Sequence, residues 1–194
     1  SRVSRGLGDV YKRQGYFFPD TYLVVKGTKV SDVLIMAHKA KTTKLDAVWQ
    51  QKNSRMVLAT PEELLILASI IEKESGQKSD RRTIRQVFHN RLQRNMRLQT
   101  DPTVIYAIGD EFDGDIRSRD LRMDSPFNTY KVKGLPPTAI ALPSFDSLLA
   151  AAQPSTGDFL YFVARGDGRS QFSRTLSEHN AAVRKFLLQR TKLD

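Results

Sequence analysis

The apolar residues of this chain fall into blocks whose spacing predicts its elements. Residues 64–71 (LLILASII) are apolar but for Ser69, so no polar face survives over two turns, which predicts a helix buried on all sides. Thr60-Pro61-Glu62-Glu63 ahead of it is a capping box, with Thr at the cap, Pro at the first helical position and Glu three residues on. The helix continues through Glu74 and Ser75, and Gly76 reads as its stop. Asp80 opens a second helix, where Ile84, Val87, Phe88 and Leu92 form an amphipathic stripe that runs out at Asn95. Thr100-Asp101-Pro102 opens a third, short helix closed by Gly109. Ser144 to Ser147 opens another, stopped by Pro154. Residues 158–165 (DFLYFVAR) read as a buried strand, turned at Gly166-Asp167-Gly168 onto a partner at 170–173. Thr175-x-x-Glu178 is a second capping box, for a last helix with Ala182, Val183, Phe186 and Leu187 inward. Upstream, 21–25 (TYLVV) reads as a strand, and Ser31 as the cap of a helix to about Lys41 with Val33, Leu34, Met36 and Ala37 inward. Residues 110–115 and 134–137 are loops. The class is α+β, a helix-rich domain with small antiparallel β elements and no internal repeat.

The chain has 194 residues, of which 40% are apolar, enough for a proper core and too many for a disordered chain. No stretch approaches the roughly 18 apolar residues of a membrane span. There is no cysteine, which excludes disulfides, Cys-ligated zinc and thiol catalysis. His38, His89 and His179 lie far apart, so neither a metal nor another cofactor is expected. The net charge of +10 favours an anionic partner. Residues 1–14 (SRVSRGLGDVYKRQ) show no period and no signal-peptide core, and read as a non-native or disordered leader. Residues 78–99 hold seven Lys or Arg against one Asp, which suits a nucleic-acid surface or a solvated helix face. With Phe88 on the apolar stripe no platform for bases remains, and no nucleic-acid partner is expected.

Glu74 is the informative residue. Ile71, Ile70 and Leu67 share its helix face, so its carboxyl is partly desolvated and its pKa is expected to rise. Such a carboxyl stays protonated near neutrality and can donate a proton; the alternative is a frayed terminal Glu in solvent. Glu72 lies roughly 200° around the helix, so the two do not form a two-carboxylate glycosidase pair. Glu72 is expected in a structural ion pair. Residues 97–106 (RLQTDPTVIY) gather polar side chains before a helix start, as a ligand site or as capping alone. Asn128-Thr129-Tyr130 is a further polar cluster, suited to sugar hydroxyls and equally to turns. No His stands at nucleophile–base spacing from Ser69 or Ser75, so a serine hydrolase is not supported.

The blocks GYFFPDTY (15–22), LASIIEKESG (67–76), VFHNRL (87–92), MRLQTDPTVIYAIG (96–109), NTYKVKGLPPTAIALPS (128–144) and YFVARGDGRSQFSRTLSEHN (161–180) resemble the MltG-type (YceG-like) endolytic murein transglycosylases. The similarity covers 15–194, read as a strand–helix lead-in (15–59) and an active-site core (60–194). It implies a bacterial lyase of the cell envelope, on the outer face of the inner membrane, cutting peptidoglycan glycan strands between N-acetylmuramic acid and N-acetylglucosamine without water. The family's catalytic glutamate falls on Glu74. Gln99, Thr100, Asp101, Tyr106, Asn128 and Tyr130 fall on its cleft blocks, and Asn180 on its terminal His-Asn. His179 and Glu72 are secondary candidates. The resemblance implies no cofactor, and cell-wall synthesis machinery is a candidate partner. Family members carry an acidic residue where this chain has Gln14. Their upstream membrane anchor and LysM-like subdomain are expected to be absent, although 21–41 resembles the first half of a LysM glycan-binding repeat. The alternatives are a muramidase that uses water and a non-catalytic peptidoglycan-binding module.

Overall fold

The computed structural model describes residues 14–54, 56–74, 80–153 and 156–188. The all-apolar stretch forms α2 (Pro61–Glu74), with every residue from Leu64 to Ile71 buried. Helix α1 (Val30–Gln50) packs on it, as do α3 (Arg81–Gln93), α4 (Asp101–Ile108) and above all α5 (Phe145–Ala152). Burying each Leu or Ile of that core is worth about 1.5–3 kcal/mol. Ser69 is tolerated because its hydroxyl donates to the Ile66 carbonyl at 2.7 Å and accepts from the Ile140 N–H at 3.0 Å. That second bond pins the buried segment 139–141 to the helix. The sheet is one antiparallel hairpin, β1 (Tyr161–Ala164) and β2 (Ser170–Ser173), with Phe162 opposite Phe172. It leads into α6 (Leu176–Val183) and a π-helical turn at Arg184–Leu188.

The hydroxyl half of each capping box forms, while the glutamates reach one residue past the cap, Glu63 to the Ala59 N–H at 2.6 Å and Glu178 to the Arg174 N–H at 2.8 Å. The Thr60 hydroxyl accepts from the Glu63 N–H at 3.2 Å, and the Thr175 hydroxyl from the Glu178 N–H at 3.2 Å. Gly109 closes α4 at φ 68°, a conformation that L side chains resist. Gly76, Pro154, Lys78 and the leader apart from Gln14 lie outside the described residues, as does the Leu187 side chain.

Residues 21–50 differ from the sequence reading. Residues 21–25 form no strand, and Leu23 is 91% exposed, since among the described residues no neighbouring strand completes their ladder. Helix α1 runs on to Gln50 because Leu45 and Val48 continue the buried face of Ala37, and the Thr42 hydroxyl bonds back to the His38 carbonyl at 3.2 Å. Its cap falls on Lys29, not Ser31, and Leu34 and Met36 are exposed. The basic segment is only partly a solvated face. Arg85 and His89 are buried, donating to the Ala150 carbonyl at 3.2 Å and the Ala151 carbonyl at 2.8 Å. They occupy the carbonyl end of α5, where donors and positive charge are favoured.

Glu72 also differs from expectation. Its Oε2 accepts from the Ser144 N–H (3.0 Å), the Ser144 hydroxyl (2.6 Å) and the Ser147 hydroxyl (2.6 Å), clamping α2 to the start of α5. Hydroxyls take the place of the expected basic partner because Glu72 faces the N-terminus of α5, where orphan donors favour an anion. Burial raises its pKa, but these bonds and the charge of Arg81 outweigh it and hold the carboxyl below its ordinary range. A depressed carboxyl stabilises the fold above the unfolded pKa of about 4.3 and loses that contribution as pH falls through its lower folded value. Glu72→Gln is therefore expected to destabilise the chain by about 1–3 kcal/mol at pH 7, or roughly 2–4 °C in Tm per kcal/mol. Thermal unfolding of the pair should converge towards pH 3.

Candidate active site

Glu74 ends α2 with Leu67, Ile70 and Ile71 buried on its own face. Its Oε2 accepts a 2.6 Å hydrogen bond from the Thr100 hydroxyl. Burial, helped by the negative charge of Asp101, raises its pKa to about 7, against the Thr100 bond, which favours the ionised form. The frayed-terminus alternative is thereby set aside, because the side chain is partly buried and tied across to a second element.

Thr100 is held by a set of threonines. Its N–H donates to the Thr129 hydroxyl at 3.2 Å, that hydroxyl meets the Thr103 hydroxyl at 2.8 Å, and Thr103 donates to the Thr100 carbonyl at 2.7 Å. Thr100, Thr103 and Thr129 are all buried. Thr100 stands at the cap of α4, yet its side chain makes no capping bond, and its hydroxyl is turned to Glu74 instead. Capping alone therefore does not account for the residue. Gln99, just before it, sits at φ 50°, a left-handed conformation that costs a non-glycine residue about 1–3 kcal/mol. The Gln99 N–H bonds the Thr129 carbonyl at 3.1 Å, and its Oε1 accepts from Arg91 Nη1 at 3.1 Å, so both ends of the strained residue are fixed.

Asp101 Oδ1 accepts from the Tyr130 hydroxyl at 2.5 Å. Burial first, then Asp101, drives the Tyr130 pKa far up, so its hydroxyl stays a donor. Asn128 is fully buried and spends its amide on the Leu121 carbonyl (3.1 Å), the Met123 carbonyl (2.8 Å) and the Tyr130 N–H (3.0 Å). It thus differs from the expected ligand contact: a side chain with no free face shapes the loop that carries Tyr130. Tyr106 packs against Phe127, with ring centroids 4.9 Å apart, and lines a groove of about 720 Å³. Glu72, Lys73 and Pro102 also line it, so the groove follows the seam between α2 and α4; Glu74 is not in its lining.

The structure brings Glu74, Gln99, Thr100, Asp101 and Tyr130 together. Asn180 is exposed on α6, and no hydrogen bond joins it to that group among the described residues. His179 stacks on Tyr161 at 5.2 Å. His38 is exposed, with Nδ1 3.0 Å from the Tyr16 carbonyl. Among the described residues no cluster of His, Asp and Glu could hold a metal ion. The sequence places Thr103 and Thr129 in its polar runs without a role of their own, and it singles out no role for Arg91. Arg91 lies three and four residues beyond Phe88 and Val87, so its place on the apolar face was readable from spacing.

A carboxyl on a buried helix, bonded to a neighbouring hydroxyl and raised by burial and by Asp101, can give or take a proton near neutral pH. The model of the YceG-like family matches residues 3–185, and the chain belongs to that family. A Bacillus subtilis (strain 168) protein named endolytic murein transglycosylase is 40% identical over 175 residues, covering 90% of this chain and 48% of the relative. A protein of the same name from Streptococcus pneumoniae serotype 2 (strain D39) is 32% identical over 181 residues, covering 91% of this chain and 32% of the relative. The chain thus spans about half the length of the first and a third of the second. A crystal structure of a YceG-like protein from Listeria monocytogenes superposes with a TM-score of 0.74 at 36% identity, covering 91% of this chain and 62% of the other.

Two substitutions should move the Glu74 pKa in opposite directions, read by carboxyl-carbon NMR. Thr100→Val removes the bond that favours the charged form and should raise it above 7. Asp101→Asn removes a like charge and should lower it. The acid also leaves a mark on stability. A carboxyl whose folded pKa is raised costs nothing below its unfolded value and destabilises the fold increasingly as pH climbs towards about 7. Glu74→Gln should therefore stabilise the chain by about 1–3 kcal/mol at pH 8 and by little at pH 4, measured as Tm.

Proposed function

We propose that this chain is the catalytic part of a lytic transglycosylase. It would cleave the β-1,4 bond between N-acetylmuramic acid and N-acetylglucosamine within peptidoglycan strands of the cell envelope. The observation that carries the reading is the Glu74 carboxyl, partly buried at the end of α2, bonded to Thr100 and held near pH 7. The names of the Bacillus and Streptococcus relatives support the substrate class.

The protonated Glu74 gives its proton to the glycosidic oxygen, and the bond from that oxygen to the anomeric carbon breaks. The oxygen leaves as the 4-hydroxyl of N-acetylglucosamine, and the muramic ring becomes oxocarbenium-like. Glu74, now a carboxylate, takes the proton from the ring's own 6-hydroxyl as O6 attacks the anomeric carbon. A 1,6-anhydro end results, the acid is restored, and no water is consumed. A pKa near the working pH suits a group that must both give and take a proton. Thr100 stabilises the carboxylate half of the cycle, and Asp101 the protonated half.

Mass spectrometry of purified peptidoglycan incubated with the chain should find anhydro-ended muropeptides. Glu74→Gln should lower the yield by about 10²–10⁴-fold or more, since one residue serves both proton transfers. Reducing ends would overturn the transglycosylase assignment in favour of a hydrolase. Retention on insoluble peptidoglycan with no product would favour a binding module.

A further inference from the structure

Arg91 is only 6% exposed, and a guanidinium cannot shed its proton. Its partners are all neutral. Nε donates to the Leu160 carbonyl at 2.6 Å, and Nη1 to the carbonyls of Arg97 (3.0 Å) and Leu98 (2.9 Å) and to Gln99 Oε1. No carboxylate meets it among the described residues, so a full charge is buried with no opposite charge, a costly arrangement. Among those residues Nη2 bonds to nothing, yet it is not sealed from solvent as Nε of Arg85 is. A directional, fork-shaped cation with one arm free is what carboxylate recognition uses.

The surroundings continue the pattern. The guanidinium carbon lies 5.0 Å from the ring centre of Tyr161, on which His179 stacks. Among the described residues Nδ1 of His179 is buried with no partner, and burial with the charge of Arg91 holds the imidazole below its ordinary pKa, in its neutral form. Two under-used polar groups therefore bracket one aromatic ring. The cluster joins the acid through two consecutive residues: Gln99 bonds Arg91, and Thr100 bonds Glu74.

We propose that Arg91, with Gln99, Tyr161 and His179, forms a subsite for a carboxylate of the glycan substrate. This rests on the glycan-cleaving reading above. Muramic acid carries a lactyl carboxyl, free in a stripped strand; where a stem peptide is attached, that carboxyl is amidated and the stem brings carboxylates of its own. N-acetylglucosamine carries none. A carboxylate site beside Glu74 would fix which sugar of the alternating pair lies on which side of the acid, and so set the bond that is cut.

The test is an NMR titration of the full chain labelled with ¹⁵N-arginine and ¹⁵N-histidine, following the Arg91 Nε–H and the His179 ring nitrogens. The ligands are N-acetylmuramic acid, its methyl ester, N-acetylglucosamine and muramyl dipeptide. At least one free-carboxylate ligand should move both signals and bind about tenfold or more tighter than the ester and N-acetylglucosamine. Tight binding by N-acetylmuramic acid identifies the lactyl carboxylate, and by muramyl dipeptide the stem. Equal binding of acid and ester, or no movement at Arg91 with any ligand, overturns the proposal. The comparison among ligands is made on the unmodified chain, so it does not depend on any variant folding. Arg91→Lys, checked by thermal melting, should lose the selectivity. Carboxylate selectivity without cleavage would sink the transglycosylase reading alone, and cleavage without selectivity would sink the subsite alone.

Discussion

Helix α2 has no polar face between Leu64 and Ile71, and the fold follows from that constraint. A helix buried on every side must be walled in by other elements, and α1, α3, α4 and α5 all pack on it. Its two polar exits are therefore prescribed. Ser69 meets the backbone of Ile140, and Glu72 meets the serines that open α5. Glu74 comes out at the far end of the same core, so its desolvation follows from where the helix stops being apolar. The acid is raised by the burial that holds the molecule together, and a looser packing of α2 would lower its pKa as well as its stability.

That coupling explains the care taken at Thr100. A hydroxyl aimed at a carboxyl has a rotor to fix, and here both neighbouring backbone groups are bonded to buried threonines. The strain at Gln99 belongs to the same device. A left-handed turn just before α4 presents the Thr100 hydroxyl to Glu74 instead of to the helix's own N–H groups. The N-terminus of α4 thus forgoes a side-chain cap so that the hydroxyl can serve the carboxyl.

The sequence carried the helices whose faces are periodic or wholly apolar, because that pattern is a local property. It carried Glu74 for the same reason: three aliphatic neighbours on one face are readable from spacing alone. It misplaced 21–25, whose apolar, β-branched run suits a strand but whose partner is a matter of the whole chain. It read Asn128 as a ligand group, since a buried amide that holds a loop and an exposed one that meets sugar have the same letter. It took the α3 basic residues by charge and not by face, so the inward turn of Arg85 and Arg91 was hidden by counting them with the others. What was lost in each case is pairing between distant segments, which composition and period do not encode.

Two opposite charges flank the acid at different depths. Asp101 is exposed and engaged by Tyr130, and its charge favours the protonated Glu74. Arg91 is buried on the other side of Gln99, and Tyr130 lies within the field of both Arg91 and Glu74. Under the proposed mechanism positive charge gathers on the sugar ring as Glu74 becomes an anion, so the site must tolerate a cation next to its acid. Arg91 would oppose that if its charge stayed uncompensated in the loaded cleft. A substrate carboxylate on its free arm would cancel it, leaving the new Glu74 anion and Asp101 as the charges facing the ring. Carboxylate binding and oxocarbenium stabilisation would then be one electrostatic requirement met in two places.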